Sequence, residues 1–263
     1  MVDLHNHTFR CNHADGTPEE YLQTALRQGI KIFGFSDHAP MDFDSGYRMD
    51  FSEMEEYERE IRQLAEKYRD KITLLLGYEV DFTPSSNFNY QILSRPVDYL
   101  IGSVHFLDRW GFDNPQFLKE WNSRRIDEVY QEYFYHLLRL VRSGYFQIVA
   151  HLDLIKIFGY RPSDWDKFGI KRYVEPVLIE IKRQGMVVEL NSAGWRKPIG
   201  EPYPSYKIIK EMARLKIPIT FGSDAHKPEQ VGYRLMELKK IAYQVGYREV
   251  AYFKAKKIYF YPL

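Results

Sequence analysis

The stretch "KITLLLGYEV", residues 71–80, is apolar along almost its whole length. A strand of a parallel sheet that is buried on both faces has this composition, whereas a strand with one solvent-exposed face alternates polar and apolar residues. Comparable short apolar runs recur along the chain on both sides of it. In order they are "MVDLH" (1–5), "KIFGFS" (31–36), "VDYLIGSVH" (97–105), "FQIVAHL" (146–152), "MVVEL" (186–190) and "IPITFGS" (217–223).

Helical patterns occupy the intervals between these runs. The first has Thr17 as its expected N-cap and Pro18 in its first turn. The second opens on Ser52 with Glu55 three residues later, a capping-box pattern. Since about seven strand–helix units follow one another without a linker, the pattern predicts one α/β domain over residues 1–263.

The expected architecture is a barrel of parallel strands with helices outside. A doubly wound open sheet is the alternative that the same alternation allows. That fold commonly carries a glycine-rich phosphate loop after its first strand, and this sequence has none there.

Composition excludes several classes of protein. The 263 residues include 37 basic and 36 acidic side chains, a balance that gives no reason to expect binding to nucleic acid or an anionic membrane. Cys11 is the one cysteine, which excludes a disulfide framework and a multi-cysteine zinc cluster and makes the cytoplasm the expected compartment. We expect no signal peptide, and no apolar run approaches the roughly 18 residues that a membrane-spanning helix needs.

Histidines collect at the predicted strand ends. Seven of the chain's eight histidines stand at the end of an apolar run or in the loop after it, and Asp or Glu residues stand beside several of the same run ends. These side chains are His5, His7, His13, His38, His105, His151 and His226, with Glu79 and Asp224. Because the carboxyl ends of parallel barrel strands meet at one mouth, they are expected to converge there. Asp3 is expected to orient one of these histidines without binding a metal itself. His136, which lies on a helical pattern, is expected to be solvated.

The convergence of these nine side chains predicts a metal centre. Imidazoles crowded together without a metal would leave acceptor nitrogens facing one another with few donors to satisfy them. One ion takes about four to six ligands, so nine candidates predict two or three divalent ions. Imidazole and carboxylate ligands suit Zn, Mn or Fe, and the sequence does not choose among these metals.

The motifs resemble those of the polymerase and histidinol phosphatase (PHP) family. "HNHTFRCNH", "SDHA", "GYEVD", "GSVH", "AHLD" and "GSDAH" occur in the order that this family uses, over essentially the whole chain. The opening "HTFRCNHA" and the segment "NSAGWRKP" are most similar to its stand-alone histidinol-phosphatase branch. The resemblance implies a distorted TIM-like barrel of about seven strands, (β/α)7, with a trinuclear metal site.

The resemblance also implies which side chains share an ion. The first ion would be held by His5, His7, Glu79 and Asp224. Glu79 would bridge that ion to a second one, held also by His105 and His151. The third ion would be held by His13, His38 and His226. Cys11 matches the family opening but is not expected to be a ligand.

The implied activity is hydrolysis of L-histidinol phosphate to L-histidinol and phosphate, a step of histidine biosynthesis. A metal cluster lowers the pKa of a bound water and offsets charge on the phosphoryl oxygens. Since no nucleophile-elbow motif is present, we predict direct attack by a metal-bridging hydroxide without a phosphoenzyme. Glu79, Asp224 and His226 are the expected catalytic side chains. The proton donor to the leaving alkoxide is left open between Asp224, His226 and a metal-bound water.

Loops after the strands carry candidate substrate contacts. Arg161, Arg196 and Lys197 follow the fifth and sixth runs and are candidates to clamp a phosphate. Ser192 offers a hydroxyl donor beside them. Asp42, with Asp44 and Asp50 in the same loop after the second run, is a candidate to face the amine of histidinol.

Three other functions stay open. The first is another PHP-family phosphoesterase, acting on a different small phosphate ester or a nucleotide. The second is a metal-dependent amidohydrolase, a class that usually has a carboxylated lysine where this chain has Glu79. The third is a non-catalytic metal-binding module, which predicts a degraded ligand set. A small phosphorylated substrate is the expected partner, nucleic acid and membrane are not expected, and a homo-oligomer is left open.

Overall fold

The fold is an α/β barrel, described in a computed structural model over residues 1–83 and 89–263. Its strands are β1 (Val2–Asp3), β2 (Ile32–His38), β3 (Thr73–Asp81), β4 (Tyr99–Ser103), β5 (Phe106–Leu107), β6 (Trp110–Gly111), β7 (Ile148–Val149), β8 (Val187–Asn191), β9 (Ile219–Gly222), β10 (Glu249–Lys254) and β11 (Lys257–Pro262). Seven of them pair in the order β1-β2-β3-β4-β7-β8-β9, all in parallel. These are the seven strands that the apolar runs predict.

Hydrogen bonds between the two ends of this sheet close it into a barrel. The Leu4 N–H donates to Phe221 O at 2.9 Å, and the Asp224 N–H donates to His5 O at 2.8 Å. The predicted parallel barrel is therefore confirmed, and the open doubly wound sheet is excluded. Closure is what brings the end of β1 beside the end of β9.

Asp3 contributes to the same closure. Its carboxylate accepts hydrogen bonds from the Ser223 N–H at 2.9 Å and from the Ser223 hydroxyl at 2.6 Å. The Gly232 N–H donates to it at 3.2 Å. Asp3 thus joins the backbone that follows β9 to the start of the chain, and the His5 backbone N–H is also within hydrogen-bonding reach of its carboxylate, so Asp3 holds the backbone of a histidine and not its ring.

Helices surround the barrel. They are α1 (Pro18–Arg27), α2 (Met54–Lys67), α3 (Leu118–Trp121), α4 (Ile126–Ser143), α5 (Glu175–Gln184), α6 (Tyr206–Arg214) and α7 (Leu235–Val245), with a π-helix at Trp165–Val174. The predicted cap of α1 is confirmed, since the Thr17 hydroxyl accepts from the Glu20 N–H and the Glu20 carboxylate accepts from the Thr17 N–H. Among the described residues, no helix is both long and apolar enough to cross a bilayer.

The start of α2 differs from the prediction. Asp50 caps the short 3-10 turn Phe51–Glu53, and the Glu53 carboxylate accepts from the Asp50 N–H at 2.8 Å. The predicted capping box at Ser52 and Glu55 is therefore wrong by two residues. Aspartate caps as well as serine does, so the local pattern alone does not choose between the two registers.

Part of the long connection between β4 and β7 lies at the barrel mouth. It contains the antiparallel hairpin β5–β6 and the helices α3 and α4. His136 on α4 is 8% exposed, with the backbone of Phe106 within hydrogen-bonding reach of its ring, and burial lowers its pKa. The expectation that His136 is solvated is wrong, because the hairpin covers this face of the helix. The C-terminal hairpin β10–β11 is likewise absent from the sequence-based strand assignment.

Candidate metal centre

Glu79, at the end of β3, lies at the centre of the barrel mouth. Its side chain is 1% exposed, and its two oxygens face different histidines. Oε1 lies 2.9 Å from His151 Nε2 and 3.5 Å from His105 Nε2. Oε2 lies 3.2 Å from His5 Nε2 and 3.1 Å from His38 Nδ1. A carboxylate placed in this way is suited to bridge two ions.

Asp224 lies across the mouth from Glu79. Its Oδ1 atom is 3.2 Å from His7 Nε2, 4.0 Å from His5 Nε2 and 3.4 Å from His226 Nδ1. The residue has a φ of 51°, in the left-handed region, which aspartate enters more readily than most residues. This backbone turn separates Asp224 from the strand that precedes it and allows both Asp224 and His226 to reach the same cavity.

Two compact donor groups match the first two ion positions that the resemblance implies. The ligand atoms of His5, His7 and Asp224 lie within 4.8 Å of one another, and so do those of Glu79, His105 and His151. The first group comes from the segments that directly follow β1 and β9, the two strands at which the barrel closes. The second comes from β3 and from the segments after β4 and β7.

The remaining histidines gather in a third corner of the mouth. His38 groups with His7 and His226, whereas His13 groups with His226 and Cys11. The His13 ring centroid is 4.6 Å from that of His226 and 5.4 Å from that of His38. The three histidines expected to share an ion are thus neighbours, with the buried Cys11 thiol beside them.

The buried ring nitrogens fit a metal ion. Within the described ranges, His5 Nε2, His7 Nε2 and His38 Nδ1 are buried and have no hydrogen-bond partner. Leaving such atoms unsatisfied costs free energy, and a divalent ion would satisfy them together with the two carboxylates. Imidazole and carboxylate donors are ligands that Zn, Mn and Fe accept.

The charges at this centre favour a cation. Burial disfavours the ionised form of Glu79, but His5, His38 and His105 hold the pKa of its carboxyl well below the ordinary value. Burial also disfavours the charged form of His105, yet Asp81 and Glu79 raise the pKa of its ring to about 9. The carboxylates thus stabilise positive charge on the His105 ring, and a bound metal ion would take the place of that proton.

Glu189 on β8 supports this centre and was not assigned from the sequence. Its Oε1 atom lies 2.6 Å from His5 Nδ1, and its Oε2 atom accepts from the His151 N–H at 2.9 Å. It is 1% exposed. One carboxylate therefore orients a histidine from each of the first two donor groups. The available signal was a charged residue inside the apolar run "MVVEL".

Two further buried carboxylates lie beside histidine rings, and one of them, Asp81, is hydrogen-bonded to its ring. Asp81 Oδ1 lies 2.6 Å from His105 Nδ1, and Asp37 Oδ1 lies 3.4 Å from His7 Nδ1. Asp81 is the last residue of β3, in the motif "GYEVD", and Asp37 is the last residue but one of β2, in the motif "SDHA". Asp81 shares the face of Glu79 because side chains alternate along a strand. Their position was visible in the sequence, but their histidine partners were not.

The histidines open onto a pocket of about 620 Å³. Of the predicted substrate contacts, Arg196 and Lys197 line it. Arg196 Nη2 donates to Ser223 O at 2.9 Å and to Asp224 O at 2.8 Å. Its Nη1 atom is buried and has no hydrogen-bond partner in the part of the chain that is described. Lys197 is exposed at the rim.

Arg161, Ser192, Asp42 and Asp50 stand apart from this pocket lining. Arg161 is ion-paired with Glu201, Ser192 is fully buried and Asp42 is exposed. Their roles toward a substrate stay predictions. Asp44, from the same loop as Asp42, does line the pocket. The pocket wall also includes two charged residues that the sequence analysis did not assign, which are Arg48 and Asp113.

A parallel barrel with a histidine and carboxylate cluster at its mouth is typical of metal-dependent hydrolases. The PHP domain family matches residues 3–193, and the PHP-associated family matches residues 206–241. The chain belongs to the PHP domain family.

Several known proteins are similar to this chain over most of their length. A Deinococcus radiodurans protein named "Probable histidinol-phosphatase" is 38% identical over 256 residues, which cover 96% of each chain. The Bacillus subtilis protein named "Histidinol-phosphatase" is 32% identical over 88% of this chain and 95% of its own. The histidinol phosphate phosphatase of Lactococcus lactis, solved with zinc, L-histidinol and phosphate, superposes with a TM-score of 0.84 at 23% identity, over 98% of each chain.

Proposed function

We propose that this chain is a metal-dependent phosphomonoesterase that hydrolyses L-histidinol phosphate to L-histidinol and phosphate, a step of histidine biosynthesis. The observation that carries the proposal is the convergence of seven histidines and two carboxylates at the mouth of a PHP barrel, beside an open pocket. The two relatives named histidinol-phosphatases, at 38% and 32% identity, support this choice of substrate.

The proposed cofactor is a set of two to three divalent ions, of Zn, Mn or Fe. One ion would be held by His5, His7, Glu79 and Asp224, a second by Glu79, His105 and His151, and a third by His13, His38 and His226. Such ions supply a nucleophilic water at neutral pH and offset negative charge on a transferring phosphoryl group. The orphaned nitrogens of His5, His7 and His38 support this assignment.

The protein's own side chains bind and orient the ester. Arg196 lines the pocket, and its buried Nη1 atom, which lacks a hydrogen-bond partner among the described residues, would suit a phosphoryl oxygen once the side chain turns toward the ester. Asp224 and His226 both line the pocket, and the proton donor to the leaving oxygen stays open between these two side chains and a water that a bound metal would hold. Glu189 and Asp81 would hold the rings of His5 and His105 in a fixed orientation.

The test of the proposal is phosphate release from L-histidinol phosphate by the purified, metal-loaded protein. Sugar phosphates, nucleoside monophosphates and a generic aryl phosphate are assayed beside it. We expect kcat/KM for histidinol phosphate to exceed the others by at least about 100-fold, since a pocket that hydrogen-bonds its substrate discriminates strongly. Similar kcat/KM values for all of these esters would still fit a PHP-family phosphoesterase but would reject the assignment to histidine biosynthesis.

The proposal predicts a substrate-binding defect in Arg196→Met. A lost hydrogen bond to a charged group costs roughly 1.5–3 kcal/mol, so KM for the phosphate ester should rise about 10- to 100-fold with kcat within a factor of three. Steady-state kinetics of Arg196→Met and Arg196→Lys measure this, and the lysine variant should be intermediate. Arg183→Met, at an exposed site on α5, is the control and should match the parent.

A different pattern would reject the substrate role of Arg196. Its Nη2 atom holds the backbone oxygens of Ser223 and Asp224. If kcat falls while KM stays unchanged, Arg196 acts by holding that backbone and not by binding phosphate.

The wider setting of the enzyme is part of the proposal. We place it in the cytoplasm, which the single buried cysteine and the histidine-pathway relatives support. We also take residues 1–263 as one domain, since one apolar core joins residues from Val2 to Phe253. Gel filtration with light scattering tests whether the enzyme is a homo-oligomer.

A further inference from the structure

Arg48 is a buried arginine in the wall of the pocket. It follows the 3-10 turn Ser45–Tyr47 in the loop between β2 and α2, and it is 4% exposed. A buried guanidinium needs acceptors for its donors, because leaving a charged group unpaired in the interior is costly. The position of those acceptors indicates what Arg48 does.

The first contact of Arg48 connects its side chain to His105, on one side of the metal centre. Its Nε and Nη2 atoms donate to Asp81 Oδ2 at 3.0 and 2.7 Å. The other oxygen of Asp81 lies 2.6 Å from His105 Nδ1. The far ring nitrogen, His105 Nε2, faces Glu79 Oε1 at 3.5 Å. Arg48 thereby holds the Asp81 carboxylate in place, and that carboxylate in turn orients the His105 ring.

The second contact of Arg48 leads to the opposite corner. The Asn12 side-chain amide donates to Arg48 O at 2.8 Å, and Asn12 directly precedes His13. Asn12 has a φ of 65°, so the chain turns sharply at this point. The Tyr47 ring, next to Arg48 in sequence, meets the His13 ring edge-on with centroids 5.5 Å apart.

We propose that Arg48 is a positioning residue that ties His105, through Asp81, to His13, through Asn12, and so fixes two corners of the metal centre relative to each other. The inference rests on the proposed metal-dependent function. Direct phosphate binding by Arg48 is disfavoured, because its donors already have protein acceptors. Nε and Nη2 are taken by Asp81, while Nη1 donates to Tyr47 O at 2.7 Å and lies 3.4 Å from Asp44.

The test compares Arg48→Met, Arg48→Lys and Asp81→Asn by two readouts. Metal-free protein is titrated with Co²⁺ while its visible absorption is followed, and kcat and KM are measured on the metal-loaded protein. In Arg48→Met we expect the affinity for at least one Co²⁺ to fall about 10- to 100-fold, as when other groups that orient metal ligands are removed. We expect kcat to fall with it and KM to stay within a factor of three. Arg48→Lys should recover part of both losses.

A matched control and a double variant sharpen the result. Arg95→Met removes an arginine that donates to the buried Glu58 at 2.6 Å outside the pocket, and it should leave Co²⁺ affinity and kcat unchanged. If Arg48 acts through Asp81, the variant carrying both Arg48→Met and Asp81→Asn should bind Co²⁺ nearly as well as Asp81→Asn alone.

Two outcomes would overturn the inference. One is unchanged Co²⁺ affinity with a raised KM, which would make Arg48 a substrate contact. The other is additive losses in the double variant, which would make the two residues independent. Should Arg48→Met fail to fold, Arg48→Lys and Asp81→Asn supply the same comparison. Because the Co²⁺ readout uses no substrate, it stays valid even if the parent protein does not hydrolyse histidinol phosphate.

Discussion

Replacing Glu79 by glutamine is expected to lower kcat/KM for the phosphate ester by about 10³-fold, the upper range for loss of one charge-stabilising group in an active site. The substitution keeps the shape of the side chain and removes its charge. That charge faces His5, His38, His105 and His151 within 3.5 Å. Without it, neither of the first two proposed ions keeps its shared ligand.

The measurement combines kinetics with a count of metal ions per chain by elemental analysis. We expect at least one ion fewer in Glu79→Gln than in the parent. Glu58→Gln is a matched control, because Glu58 is also buried and paired, with Arg95 and the Tyr78 hydroxyl, but lies outside the pocket. A Glu79→Gln protein with a full metal count and more than a tenth of the parental activity would reject the bridging role.

The second large effect is on stability. Lys156 is 1% exposed, and its Nζ atom lies 2.9 Å from Asp153, 3.0 Å from Glu201 and 2.8 Å from Pro202 O. Lys156→Met leaves the buried Asp153 carboxylate without its counter-charge. We expect the free energy of unfolding to fall by roughly 3–5 kcal/mol, the usual cost of breaking a buried ion pair from one side. This corresponds to a decrease in Tm of about 10 °C.

Urea denaturation followed by circular dichroism checks this prediction. Lys207→Met is the control, since Lys207 and its partner Asp166 are exposed, and its effect should stay below about 1 kcal/mol. If Lys156→Met were within 1 kcal/mol of the parent by the same measurement, the buried pair would not be a main support of this part of the fold.

The barrel and the histidine set could be predicted from the sequence because both depend on local patterns. A run such as "KITLLLGYEV" records burial on both faces, whichever strand lies beside it. The position of a histidine at the end of such a run is also a local fact. Since parallel barrel strands all end at one mouth, the convergence of His5, His151 and His226 follows from topology without any contact being known.

The capping of helices was predictable only in part. Thr17 and Glu20 form the expected capping box, whereas α2 begins after a turn capped by Asp50. Asp50 and Ser52 are both good capping residues and lie only two positions apart. Which of them caps the helix depends on how the preceding loop enters it. His136 shows the same limit, because what covers it comes from another element of the chain.

The partners of the charged side chains were decided by the tertiary structure. Glu189 and His5 lie 184 residues apart in the sequence, yet their side chains meet at 2.6 Å. Arg161 was a candidate phosphate clamp and is paired with Glu201, while Arg48 reaches Asp81.

The sequence by itself thus determined where the barrel strands end and which kinds of metal-ligating side chain stand at those ends. It could do so because periodicity and spacing are properties of short segments. Which carboxylate orients which ring, and which arginine stays free to meet a substrate, depended on closure of the barrel. Closure joins the residues after β1 to those after β9, and a contact of that range leaves no periodic trace in either segment.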